Sequence, residues 1–461
     1  MARADEPVDF WINLELSHGD VSTFMEEREA GQARATIEEK KLVDVVAAHT
    51  LLRQEGGGVY EFAQLGQKLF GDLFADAQQR RIFVRACDTA EREERPLRIL
   101  IKLPHDSSLG VIPWELLHDG DRFLAKDPRC AVVRYLYAHK PVPPLQVAPP
   151  LRVLLTSACP RSQPDLDLES EIQAVTAAYR PAEKVVDLQV VRGVSLDRLE
   201  RLWCDAELGR RPFHVWHHCG HGHLTERGGS PRFLLSLEKE REAEYATTEQ
   251  LSEIIGMCPG LRLAVLNVCH GGSFAGLAPE LAKLNVPVVI AFPSRIANDT
   301  AYKFAATFHQ NLLHVPVELA VSQARRSLCI HRSTDLDWSQ PLLFSRRKDC
   351  GPILSLVSPK PAVERRGDDQ RKPGGVRFHV GSTRADEVIS AGYAGDALPL
   401  SELPEMDVSF TQDSVEARSV KNFGFLVIKG FSSEDLGRRD KQMADLLKSI
   451  DEGRVAEPRH E

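Results

Sequence analysis

Phe213-His214-Val215-Trp216-His217-His218-Cys219-Gly220-His221-Gly222 and Leu266-Asn267-Val268-Cys269-His270-Gly271-Gly272 decide how this chain is read, Cys269 following His221 by 48 positions. Each segment is an apolar run ending in residues that carry chemistry, the first in histidine and glycine, the second in cysteine. If both runs are strands of one parallel sheet, their ends emerge at the same carboxyl edge, where open α/β folds keep their sites. That brings a base beside a nucleophile.

A thiol attacks a carbonyl only when something takes its proton or stabilises the thiolate, and the leaving amine must then be protonated. Histidine serves both steps near neutral pH. On a strand Phe213, Val215, His217 and Cys219 share one face and His214, Trp216 and His218 the other. His217 and His218 are therefore expected inside the layers as hydrogen-bonded structural residues. His221 falls past the strand's end, within reach of a substrate. Gly222 permits close backbone approach, so that its N–H, with that of Cys269, can face a developing oxyanion. His223 and His270 are read as loop residues. His217, Cys219, His221 and His223 also invite a metal reading, but ligands along one strand spread out instead of converging on four corners. No metal and no cofactor is expected.

Outward from this pair the pattern alternates. Leu151 to Thr156 reads as a strand, Glu169 to Tyr179 as an amphipathic helix, Val185 to Val191 as a strand, and Ser195 to Trp203 as a helix capped by Ser195. A hairpin-like Phe233 to Leu237 precedes a helix capped by Thr248. Strand Leu261 to Asn267, helix Phe274 to Leu284, strand Val286 to Phe292, helices Thr300 to Leu313 and Pro316 to Leu328, and a short strand Leu342 to Ser345 follow. Such alternation predicts an α/β fold, a mostly parallel sheet flanked by helices. Before the proline-rich connector Pro141 to Pro150 the chain is α+β, with a strand at Phe10 to Leu16, helices near Ala35 to Arg53 and Val59 to Phe74, and a strand at Leu97 to Leu103. Residues 358–375 read as an exposed linker rich in proline, glycine and charge, and 376–461 as a small β-rich appendage.

The whole chain has 461 residues, 43% hydrophobic and 27% charged, with a formal net charge of -8. Its mean hydropathy is -0.26 and its pI near 6.1. These are globular proportions, too long for one ordinary core and without long-range attraction for nucleic acid. No apolar run approaches a membrane span, and the acidic start lacks a signal-peptide core, so a cytoplasmic protein is expected. Nine cysteines without close CxxC pairs argue against a disulfide framework or a zinc ribbon.

These residues resemble the CHAT domain, a caspase-like peptidase family related to separases, whose motifs read roughly His-Phe-x-Gly-His-Gly and Leu-x-Ala-Cys. Ile112-Pro113-Trp114-Glu115-Leu116-Leu117 is similar to the family's Pro-Trp-Glu-Leu-Leu segment, and Trp338 to Phe344 resembles its closing strand. The resemblance spans about residues 1–350. It implies a caspase-like catalytic part at 150–350, with 1–140 as a pseudo-caspase-like companion and a module of unknown type at 376–461. It also implies a cysteine endopeptidase acting on a protein substrate, with His221 and Cys269 as a dyad and no obligatory third residue. His218 stands where the family has phenylalanine, and Val268 where it has alanine. Residues lining the first substrate pocket would come from loops that here offer Arg161, Asp165, Asp167 and Arg295, charges of both signs. Members commonly act as regulated bacterial effectors in signalling or in defence, antiviral defence included, and 376–461 would then receive an activating protein or ligand. The alternative is a catalytically silent scaffold that binds partner proteins. Glu115 is expected to form a buried pair.

Overall fold

The computed structural model describes residues 6–104, 108–137, 142–227, 230–256, 259–272, 277–283, 286–294, 296–331, 336–347 and 352–354. The linker expected at 358–375, the module at 376–461 and Arg295 lie outside them.

The chain opens with a meander, β1 (Val8–Ser17), β2 (Asp20–Glu27) and β3 (Gly31–Glu38), followed by α1 (Glu39–Glu55), α2 (Val59–Leu73) and α3 (Ala77–Arg92). The sequence expectation of a helix from Ala35 gives way here to strand: Ala33 and Ile37 are buried and Ala35 pairs with Thr23, so the period is two until Glu38. Helix α3, unanticipated from sequence, is capped by Asp76, whose carboxylate accepts from the N–H groups of Gln78 and Gln79. Next come β4 (Leu97–Leu103), a 3-10 turn at Trp114–Leu116, and β5 (Cys130–Leu136).

Beyond the connector, β6 (Leu151–Ser157), α4 (Leu168–Tyr179), β7 (Val186–Val191), α5 (Leu196–Leu208) and β8 (Val215–Cys219) form successive crossover units. A separate three-stranded antiparallel sheet, β9 (Gly222–Arg227), β10 (Ser230–Lys239) and β11 (Glu242–Thr247), projects after β8. Then follow α6 (Thr248–Gly256), β12 (Leu263–Asn267), α7 (Leu277–Lys283), β13 (Val288–Ala291), α8 (Asn298–Leu312), α9 (Val317–His331) and β14 (Leu342–Ser345). Helix α6 begins one residue earlier in its capping than the sequence indicated. Thr247 Oγ1 accepts from the Gln250 N–H at 3.3 Å while Gln250 Oε1 accepts from the Thr247 N–H at 2.9 Å, a reciprocal capping box.

Among the described residues eleven strands join in one sheet of order β3-β2-β1-β4-β5-β14-β13-β12-β8-β6-β7. β1, β4, β5 and β14 run parallel, as do β13, β12, β8, β6 and β7, and the two sets oppose each other at the antiparallel β13–β14 seam. The proline-rich connector thus separates the two parts in sequence while the sheet runs through both. Central strands such as β5, β8 and β13 are buried at every position, which requires helices on both faces. No helix among the described residues is long and apolar enough to cross a membrane.

Glu115, in the 3-10 turn, does form a buried pair. Its carboxylate receives Arg134 of β5 through Nε at 3.1 Å and Nη2 at 2.6 Å, with Arg325 of α9 3.6 Å away. Arg134 also donates to the carbonyls of Gly110 and Ile112. Burial lowers the Arg325 pKa to about 10, opposed by the Glu115 charge. One carboxylate therefore serves two buried guanidiniums and ties turn, strand and helix together.

Candidate active site

The two motifs converge because β8 and β12 are hydrogen-bonded neighbours in parallel register, His218 opposite Leu266 and Cys219 opposite Asn267. Just past their ends the Gly220 N–H donates to the Asn267 carbonyl at 3.2 Å. His221 and Cys269 then line one cleft of about 290 Å³. Gly222 lies so near the second motif that a Cβ there would stand 2.2 Å from the Cys269 carbonyl oxygen and 2.8 Å from the Phe233 ring. Only glycine fits this approach. Gly222→Ala is expected to cost about 1–3 kcal/mol through forced displacement and to separate the motifs; thermal unfolding and a cleavage assay on the same sample check both effects.

The His221 ring is held from across the cleft. Its Nε2 is 2.9 Å from the Pro164 carbonyl oxygen, and because a carbonyl only accepts, Nε2 carries the proton. In the neutral ring Nδ1 is then the basic nitrogen. The carbonyl comes from the segment between β6 and α4. A main-chain acceptor leaves no residue-type signature, so sequence reading had no means of finding it.

The strand after His221 also sets the Gly222 amide. The Ser236 N–H donates to the His221 carbonyl at 3.0 Å. Alternation along an antiparallel ladder leaves Gly222, opposite Leu235, with its N–H turned away from β10. His223, expected in a loop, belongs to β9 and lines the cleft with His221; the two rings stack with centroids 6.3 Å apart. Burial lowers the His223 pKa, with the neighbouring His221 and His270 adding to the effect. His270 also lines the cleft, with a left-handed φ of 60° that turns the chain immediately after Cys269.

His217 and His218 are fully buried in β8. His218 Nδ1 lies 2.8 Å from Thr156 Oγ1, and burial depresses its pKa to about 3, so it is neutral. His217 Nε2 lies 2.9 Å from Glu171 Oε1, and its Nδ1 is 2.7 Å from His309 Nε2. His309 Nδ1 in turn meets the Tyr179 hydroxyl at 2.7 Å. Glu171, His217 and Cys219 place potential metal ligands within 4.8 Å of one another. Both His217 nitrogens, however, are engaged in hydrogen bonds, and burial pushes the Cys219 thiol well above its ordinary range, away from the thiolate a metal requires.

Of the pocket charges expected from sequence, Asp167 lines the cleft and also caps α4, accepting from the Ser170 N–H at 3.1 Å; hydrogen bonding by the Ser170 side chain first, and by its backbone second, lowers the Asp167 pKa. Arg161 and Asp165 are exposed on the same segment and are not among the cleft residues. The charge that sequence reading missed is Glu171, which lines the cleft and is buried. A signal for it existed: Glu171, Val175 and Tyr179 form one buried stripe of α4, and a carboxylate on such a stripe must have partners.

The family model of the CHAT domain matches residues 63–349, more than half of the chain, and the chain belongs to this caspase-like family. No curated protein matches it significantly. Among solved structures, the Saccharomyces cerevisiae separase in its securin complex is similar over 73% of this chain and 30% of that one, with 10% identity and a TM-score of 0.42. A secreted C11 cysteine protease from Bacteroides thetaiotaomicron, solved with an irreversible peptide inhibitor, matches 40% of this chain and 59% of its own at 12% identity and TM-score 0.29. The Drosophila initiator caspase Dronc matches 45% and 92% at 9% identity and TM-score 0.29. The chain thus spans less than a third of the separase and under two thirds of the C11 protease.

Proposed function

We propose that the protein is a cysteine endopeptidase working through His221 and Cys269, as a regulated effector in bacterial defence or signalling. The observation that carries the catalytic reading is the contact of the two motif ends at Gly222, with His221 and Cys269 on one cleft. The Cys269 thiol gives its proton to His221 Nδ1, and the thiolate attacks the substrate carbonyl carbon, forming a C–S bond and an oxyanion. The N–H groups of Gly222 and Cys269 receive that oxyanion. Collapse breaks the C–N bond, and the departing amine takes the proton from the imidazolium. Water then attacks the thioester, its proton passing to Nδ1 and on to the departing thiolate, which releases the acid product. Throughout, the Pro164 carbonyl accepts from Nε2–H and orients the ring.

A thiol-directed electrophile on a non-selective peptide tests the chemistry. Mass spectrometry is expected to find the adduct on Cys269, formed much more slowly in His221→Ala. Modification spread over several cysteines with no dependence on His221 would sink the assignment and favour the catalytically silent scaffold.

A further inference from the structure

We propose that the cleft selects its substrate by a basic side chain, lysine or arginine, whose cationic head binds the Glu171 carboxylate after passing Asp167. The inference rests on the peptidase reading and names what its site accepts. Among the described cleft residues, Asp167 and Glu171 are the acidic ones, and none is lysine or arginine. The cleft already holds the nucleophile, so a side chain bound there belongs to a residue beside the scissile bond.

The Glu171 carboxyl, only 3% exposed, is held by side-chain donors on both of its oxygens. Asn267 Nδ2 lies 2.7 Å from Oε1 and 2.6 Å from Oε2, and His217 Nε2 is 2.9 Å from Oε1. Asn267 belongs to the cysteine segment, two positions before the nucleophile, so the same amide fixes Glu171 and the nucleophile relative to each other. A carboxylate accepts only, so His217 Nε2 must be a donor. Behind it His309 is held neutral by burial and bridges to Tyr179. Whichever ring holds the proton shared between His217 and His309, a donor still points at Glu171. Neither bonded partner is a lysine or arginine. Oε1 receives two donors while Oε2 shares one of them, which leaves Oε2 the oxygen with capacity for an incoming N–H. An acidic substrate residue would meet two carboxylates, and an apolar one would strip water from Glu171 without replacing it.

The test uses the full chain and three peptide acyloxymethyl ketones that differ only in the residue before the reactive carbonyl: lysine, leucine or aspartate. Labelling of Cys269, followed by intact mass, is expected to be at least about 30-fold faster with the lysine probe, the value of one charge-assisted hydrogen bond. Glu171→Gln is expected to abolish the preference, the lysine and leucine probes then labelling at rates within about threefold of each other. Leucine or aspartate probes as fast as lysine, or a lysine preference that survives Glu171→Gln, would overturn the proposal. Should Glu171→Gln fail to fold, Asp167→Asn decides. It retains the helix cap and is expected to reduce the lysine-over-leucine ratio, an unchanged ratio counting against the proposal. If no probe labels Cys269, the peptidase reading fails separately. Calorimetry of N-acetyl-arginine amide with Cys269→Ala then judges the cation site, since binding abolished by Glu171→Gln upholds it and no binding overturns it.

Discussion

Cys269→Ala is expected to lower cleavage of any substrate of this protein by about 10⁴-fold or more, and His221→Ala by a similar factor. The double variant should be no worse than either single one, because two groups that pass one proton form a unit whose removal is paid once. Neither change should disturb the fold. Cys269 is only partly buried, and removing its sulfur costs no more than about 1 kcal/mol. His221→Ala removes a cleft-lining ring bonded to a backbone carbonyl. Cleavage rates of the three variants, compared with their thermal midpoints, check the argument. Retained cleavage with a normal midpoint in either single variant would remove the dyad, whereas lost cleavage together with a lowered midpoint would leave the chemistry unproven.

Glu115→Ala is expected to be the most destabilising single change away from the site, by about 3–5 kcal/mol, the usual penalty for breaking a buried ion pair from one side. The reason is the imbalance it creates. Arg134 and Arg325 would face one another inside the core with no anion between them, and two Arg325 nitrogens, Nε and Nη1, already have no hydrogen-bond partner. Chemical denaturation at neutral pH measures the loss. Glu115→Gln should recover only part of it, since an amide keeps the shape and one acceptor but not the charge. A loss under about 1 kcal/mol for the alanine variant would contradict the role given to this carboxylate.

How far the sequence was legible follows from which forces are local. Strand and helix periodicity placed β6 through β8, β12 and β14, because buried parallel strands announce themselves as apolar runs. β2, β3 and β9 were missed because charged and polar residues fill much of their length, and β9 starts in the glycine that the chemistry had already claimed. His221, Gly222 and Cys269 were readable because residue type and position after a strand carry their meaning. The Pro164 carbonyl was not, being backbone. Glu171 and His309 were readable only in part. Both sit on inward stripes of their helices, but that they meet through His217 depends on the packing of α4 against α8, which no local pattern encodes.

The β13–β14 seam also says something about time. β14 pairs with β5 on one side and β13 on the other, yet roughly two hundred residues of chain separate β5 from β14. During synthesis, both parallel sets wait with an open edge until this last strand of the sheet emerges, and an open edge is a place for wrong partners. The strands that carry His221 and Cys269 are made before that gap is sealed. The assembled sheet is therefore a late event in the life of the nascent chain, and a ribosome stalled before Leu342 would hold both reactive residues in a molecule whose two halves have not yet been joined.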